Sequence, residues 1–83
     1  MNVLFTEQAW KEFNDVKASS ELGKSIRITI KELQRGANLG KAEPLKHQLS
    51  GYYSRRLDKK NRLIYKIEDD TLKIVQCTGH YGD

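Results

Sequence analysis

Cysteine and proline are almost missing from this chain, with Cys77 and Pro44 the single instance of each. A lone cysteine closes no internal disulfide and supplies no zinc-ligand set, which fits a reducing compartment. Long apolar runs are missing as well. The longest near the start, Val3-Leu4-Phe5, is too short for a signal peptide or a membrane span, so a cytoplasmic protein with no membrane partner is expected. There is no low-complexity tract, and an apolar fraction of 37% argues against a disordered segment. Finally, 83 residues leave no room for a second domain, so residues 1–83 are expected to form one. A domain of this size buries only about 60 to 65% of the surface of its unfolded chain, so its core is thin and packing alone must stabilise it.

What is present in excess is positive charge, and it is unevenly spread. The net charge is +4, yet eight cations (Lys41, Lys46, Arg55, Arg56, Lys59, Lys60, Arg62 and Lys66) stand between Lys41 and Lys66 against only Glu43 and Asp58. That segment is therefore at +6 and the remainder at −2. Such asymmetry is the electrostatic footprint of a surface that meets phosphates, although a solvated basic face with no ligand has the same composition.

Spacing and alternation divide the chain into a β-α-α-β-β-β order. Asn2 to Phe5 is a short β-rich stretch, and the Thr6 hydroxyl can take up an orphan N–H at the start of a helix from Glu7 to about Lys17. Ala9, Trp10, Phe13 and Val16 share one face of it, so Trp10 is expected in the core rather than as a base-stacking platform. Ser19-Ser20 offers a second cap, after which Leu22, Ile26, Ile30 and Leu33 recur at helical spacing until Gly36 ends the helix. From Arg35 to Gly51 periodicity fails, and Gly36, Gly40, Pro44 and Gly51 punctuate a loop with a short helical turn around Leu45 to Leu49. Long ordered loops in small domains are usually functional. Three strands follow, Tyr52 to Leu57, Arg62 to Glu68 and Thr71 to Cys77, with turns at Asp58-Lys59-Lys60-Asn61 and Asp69-Asp70. In the middle one, Leu63, Tyr65 and Ile67 alternate with Arg62, Ile64, Lys66 and Glu68, as in a sheet with one face on helices and the other partly wet. The expected fold is α+β: an antiparallel meander with two helices packed on one face.

Cutting RNA without a metal needs a base for the 2′-hydroxyl, cations for the phosphorane, and an acid for the departing 5′ oxygen. A carboxylate, arginines and a histidine can fill those roles near neutral pH. All three types are here. Glu43 is the only acid in the punctuated loop, Arg56 and Arg62 bracket the first hairpin turn, and His80 follows the last strand. Residue types alone do not bring them together, because strand register is not legible. Ser50 and Ser54 lack the partners of a nucleophile, and Cys77, late in a strand, is expected to be a small core residue.

The run Glu43-Pro44-Leu45-Lys46-His47-Gln48-Leu49-Ser50-Gly51-Tyr52-Tyr53-Ser54-Arg55-Arg56-Leu57, then Asn61-Arg62-Leu63-Ile64-Tyr65, then His80-Tyr81, resembles the signature of the YoeB/Txe toxins. These belong to the RelE/ParE superfamily and share the compact α+β fold. The likeness runs over essentially the whole chain, Trp10 included, and departs from many relatives in placing Gly82-Asp83 after His-Tyr. It implies a ribosome-dependent endoribonuclease that cleaves mRNA in the ribosomal A site by 2′-hydroxyl attack, leaving a 2′,3′-cyclic phosphate and a 5′-hydroxyl. On that likeness Glu43 is the general base, His80 the general acid and Arg62 the arginine of the transition-state phosphate. Lys46 and Arg56 are supporting cations, Tyr81 helps hold the nucleotide, His47 assists or is structural, and Arg55 is solvated or touches rRNA. Tyr52 and Tyr53 pack or line the groove. Gly79 is expected to leave the tail free. No metal or other cofactor is implied. The implied partners are a YefM/Axe-type antitoxin, the 70S ribosome and mRNA, with operator DNA reached only through the antitoxin. Two other functions fit a similar scaffold: a non-catalytic gyrase inhibitor of the ParE kind, which leaves His80-Tyr81 unexplained, and a plain RNA-binding module.

Overall fold

The computed structural model describes residues 1–36 and 41–79. Their order is β1 (Asn2–Phe5), α1 (Glu7–Asp15), α2 (Glu21–Gln34), β2 (Glu43–Pro44), a 3-10 turn (His47–Leu49), β3 (Tyr53–Arg56), β4 (Arg62–Glu68) and β5 (Thr71–Gln76). Local chemistry sets the helix starts. Thr6 Oγ1 accepts the Ala9 N–H at 3.2 Å and Ser20 Oγ accepts the Gly23 N–H at 3.0 Å, each satisfying a donor that the first turn leaves without an intrahelical partner. Gly36 ends α2 in the left-handed region, at φ +74°, with its N–H on the Leu33 carbonyl.

The five strands form one sheet in the order β1-β5-β4-β3-β2. The meander β3-β4-β5 is antiparallel, as the alternation predicts, with Arg56 opposite Arg62 and Ile67 opposite Leu72. Two features were not legible. The N-terminal strand pairs parallel with the last one, Phe5 opposite Ile74, and the Glu43–Pro44 segment of the expected loop is a two-residue edge strand with Glu43 opposite Ser54. Pro44 tolerates that place because an edge residue need not donate outward.

Ala9 of α1, Ile26 and Leu33 of α2, Leu63 and Tyr65 of β4, Leu72 and Ile74 of β5, and Cys77 make the core, with Leu22, Ile30, Phe13 and Val16 packed against it. Cys77 is thus the small core residue expected. Trp10 is not in the core: it is 51% exposed and lies on the outside of Phe5 and Phe13, ring centroids 5.3 and 5.8 Å away. One residue of rotation from Ala9, it falls at the border of the apolar stripe rather than its centre. Ile64 lies on the sheet face away from the helices, as the alternation predicts, yet it is buried there, outside the core cluster.

Arg55 is not solvated as expected. Alternation along β3 sets it on the face opposite Arg56, the helix-facing side beside Leu63, where it is 7% exposed and its Nη2 donates to Glu32 Oε1 of α2. A guanidinium buried here must be paired to be tolerated, and the pair ties α2 to β3.

Candidate active site

Residues directly opposite on neighbouring strands project to the same face, so register decides which of the expected site residues meet. Glu43 of β2 lies opposite Ser54 of β3, and Ser54 lies opposite Ile64 of β4. One step along, Arg56 faces Arg62 across the β3-β4 hairpin. Glu43, Ser54, Arg56 and Arg62 therefore share the sheet face that the helices leave uncovered. Further along that face, Lys66 stands opposite Lys73.

Arg62 is the centre of this arrangement. Its side chain is only 16% exposed, its Nη1 donates to Ser54 Oγ at 3.0 Å, and the same nitrogen is 3.7 Å from Glu43 Oε1. Glu43 is 69% exposed on its edge strand, so a carboxylate open to a ligand sits beside a guanidinium fixed in the sheet. The seryl hydroxyl holds one end of the guanidinium, leaving other N–H groups to meet a phosphate. Chemically, this places an acceptor of a proton and a stabiliser of negative charge within one phosphate's reach of each other.

The flanking residues are arranged around that pair. Arg56 is exposed at the end of β3. Lys46 and His47 are exposed on the turn after β2, and His47 takes φ +59°, a strained backbone for a residue with a Cβ. Tyr52 lies under the Lys66 ammonium at 5.2 Å, whereas Tyr53 stacks on Tyr65. His80 and Tyr81 lie outside the described residues. The residue before them does not, and it is held: the Arg62 N–H donates to the Gly79 carbonyl at 2.9 Å and the Gly79 N–H to Asn61 Oδ1 at 2.8 Å. The freedom expected of Gly79 is used to adopt φ +84° while these bonds form.

Three residues of this site were missed from the sequence. Ser54 carries a usable signal, because its parity with Arg56 puts both on one face of β3. Asn61 carries a local signal, an Asx-type turn with Asp58 three residues before it. The backbone N–H of Lys60, above all, together with Asn61, holds the Asp58 carboxyl below its ordinary value. Glu12, whose Oε1 accepts the N–H of Cys77 at 2.9 Å, carries no signal beyond being a carboxylate beside an apolar stripe.

Comparison with known proteins agrees with this architecture. Residues 5–81 match the sequence model of the YoeB-like toxin of bacterial type II toxin-antitoxin systems. The chain is 42% identical to the toxin YoeB of Synechocystis sp., over 98% of both chains, and 37% identical to that of Escherichia coli, over 98% of this chain and all of the other. Among solved structures, the YoeB/ParE toxin from Agrobacterium tumefaciens superposes with a TM-score of 0.88 at 30% identity, covering 98% of this chain and 100% of that one. The toxin of the YoeB-YefM complex from Staphylococcus aureus does so with a TM-score of 0.84 at 35% identity, over 98% of each chain. YafQ from E. coli, at 18% identity and a TM-score of 0.77, shares the fold. The chain belongs to the YoeB-like toxins of bacterial type II toxin-antitoxin systems.

Proposed function

We propose that this toxin is a ribosome-dependent endoribonuclease that cleaves mRNA in the ribosomal A site by general acid-base catalysis. The observation that carries the reading is the Glu43–Arg62 pair, 3.7 Å apart on the uncovered sheet face with Arg62 braced by Ser54. Glu43 removes the proton of the 2′-hydroxyl, whose oxygen then forms a bond to phosphorus as the bond to the 5′ oxygen breaks. Arg62 meets the negative charge that builds on the phosphoryl oxygens. His80 gives its proton to the departing 5′ oxygen, so the products are a 2′,3′-cyclic phosphate and a 5′-hydroxyl. Arg56 and Lys46 add positive charge around the scissile phosphate, Tyr81 holds the nucleotide, and His47 sits at the margin. The hydrogen bonds to Gly79 favour this assignment, because they fasten the residue bonded to His80 at the backbone of Arg62.

The S. aureus relative was solved in complex with YefM. By analogy, a YefM/Axe-type antitoxin is proposed to cover the basic face of this toxin, and through it the pair would bind operator DNA. A cytoplasmic location follows from work on the 70S ribosome, and no described helix is long and apolar enough to cross a membrane.

The test is primer extension on a defined mRNA in a purified translation system, with and without ribosomes. Wild type should cut at the A-site codon only when ribosomes are present, and His80→Gln should lower the single-turnover rate by at least about 100-fold, as expected for loss of a general acid. Equal cutting by the His80→Gln form removes His80 from the mechanism. No cutting by wild type removes the reading altogether.

A further inference from the structure

After Gln76 the chain leaves the sheet, and its backbone donors have to find other partners. Three successive N–H groups find side chains from distant parts of the fold. Those of Cys77 and Thr78 donate to Glu12 Oε1 of α1, at 2.9 and 3.3 Å, and that of Gly79 donates to Asn61 Oδ1 in the β3-β4 turn, at 2.8 Å. The Gly79 carbonyl in turn accepts the Arg62 N–H at 2.9 Å.

The Asn61 amide is itself aimed. Its Nδ2 donates to both oxygens of Asp58, each at 3.1 Å, which leaves only Oδ1 to face the tail. Asp58 is fixed in turn by the backbone N–H groups of Lys60 and Asn61, at 2.8 and 2.7 Å. A turn stabilised only for its own sake would be complete with the Asp58 contacts. Here the amide goes on to grip a residue 18 positions later, one residue short of His80.

We propose that Asn61, oriented by Asp58 and assisted by Glu12, is a positioning residue that holds the entry to His80 against the Arg62 backbone and so sets where the acid meets the leaving oxygen. This rests on the ribonuclease reading above, and it adds a positioning role for residues that reading leaves without one. Loss of the grip leaves binding to Arg56, Arg62 and Lys46 intact but lets the acid wander. Misplacement of a catalytic group by about 1 Å can cost on the order of 100-fold in rate.

Two variants and two measurements test it. Asn61→Ala removes the grip. The double change Asp58→Asn with Asn61→Asp exchanges the donor and acceptor roles, keeping both the turn contact and an acceptor for Gly79. Cleavage of ribosome-bound mRNA is followed at saturation and below it, and the Gly79 amide is followed by its proton shift and exchange rate in the free protein. Asn61→Ala should slow cleavage at saturation about 10- to 100-fold with KM little changed. Its Gly79 amide should lose protection while those of Leu63 and Ile74 keep theirs. The exchanged pair should recover both rate and protection. Wild-type cleavage by Asn61→Ala, an effect on KM alone, or no recovery in the exchanged pair would overturn the positioning role while leaving the ribonuclease reading standing. If wild type itself does not cut, the reading falls and the proposal with it.

Discussion

Cys77 shows how a single position can be inert for stated physical reasons. Burial first, and the nearby Glu12 carboxylate second, push its thiol up to about 12, and the neutral S–H group lies 3.4 Å from the Ala9 carbonyl, which can accept it. Because the thiolate is the reacting form, native protein at pH 8 should be alkylated on the order of 1,000-fold more slowly than the same chain unfolded in guanidinium. Labelling at comparable rates would mean that the thiol is open to solvent. The raised value also carries a sign for stability. The folded state holds this proton more tightly than the unfolded state does. Its contribution is therefore complete below the ordinary thiol value of 9.0 and declines as pH rises from there towards about 12. At this scale the sequence was a mixed guide. It identified Cys77 as core and singled out Glu43 and Arg62, which the fold brings to 3.7 Å, but it misplaced Trp10 and left Arg55 in solvent. Helical spacing argued for a buried indole, but Trp10 falls at the border of the stripe; parity already set Arg55 on the face opposite Arg56, but not that α2 covers that face and supplies Glu32 as its partner.

Helices and strands were more legible than their contacts. The spacing in α2 and the alternation in β4 are set by local geometry, and β4 runs from Arg62 to Glu68 as expected. The parallel pairing of β1 with β5 and the brief β2-β3 ladder join segments far apart in sequence, and nothing local encodes such registers. The site depends on them, since it is register that sets Glu43 opposite Ser54. Gly23 shows the same limit within an element. By propensity alone, alanine in α2 should stabilise by up to about 1 kcal/mol. A Cβ built there, however, would stand 2.2 Å from the Lys17 carbonyl oxygen, a backbone atom in the tight link between the two helices. Gly23→Ala is therefore expected to destabilise by about 1 to 3 kcal/mol, the usual cost of overpacking. Thermal or urea unfolding of the variant decides the matter, and a raised midpoint would show that the α1-α2 link yields readily.

Over the whole molecule, folding redistributes the charge that sequence only located. Of the cations between Lys41 and Lys66, Arg55 is withdrawn under α2, while Arg56, Arg62 and Lys66 line the uncovered face. Register then adds Lys73 from β5, opposite Lys66, a residue outside the basic segment. Like charges directly opposite on a sheet repel, so the pair is maintained at some cost in stability. Lys66 also has Glu68 at 3.4 Å, which moderates its charge without removing it from the face. A row of cations across one face is suited to successive phosphates of a single strand, each of which contributes about 0.7 to the slope of log affinity against log salt. Replacing Lys66 and Lys73 together by alanine should lower that slope by about 1 to 1.4, if each meets one phosphate. The measurement is fluorescence anisotropy of a labelled single-stranded RNA over a salt series, in the His80→Gln background so that the RNA stays whole. The control is Lys11→Ala with Lys17→Ala, two exposed cations on the helix layer, which remove the same net charge from the other side. If the control lowers the slope as much, RNA responds to total charge and not to this face. If only the Lys66 and Lys73 changes do so, the phosphate track extends from Arg62 across β4 to β5.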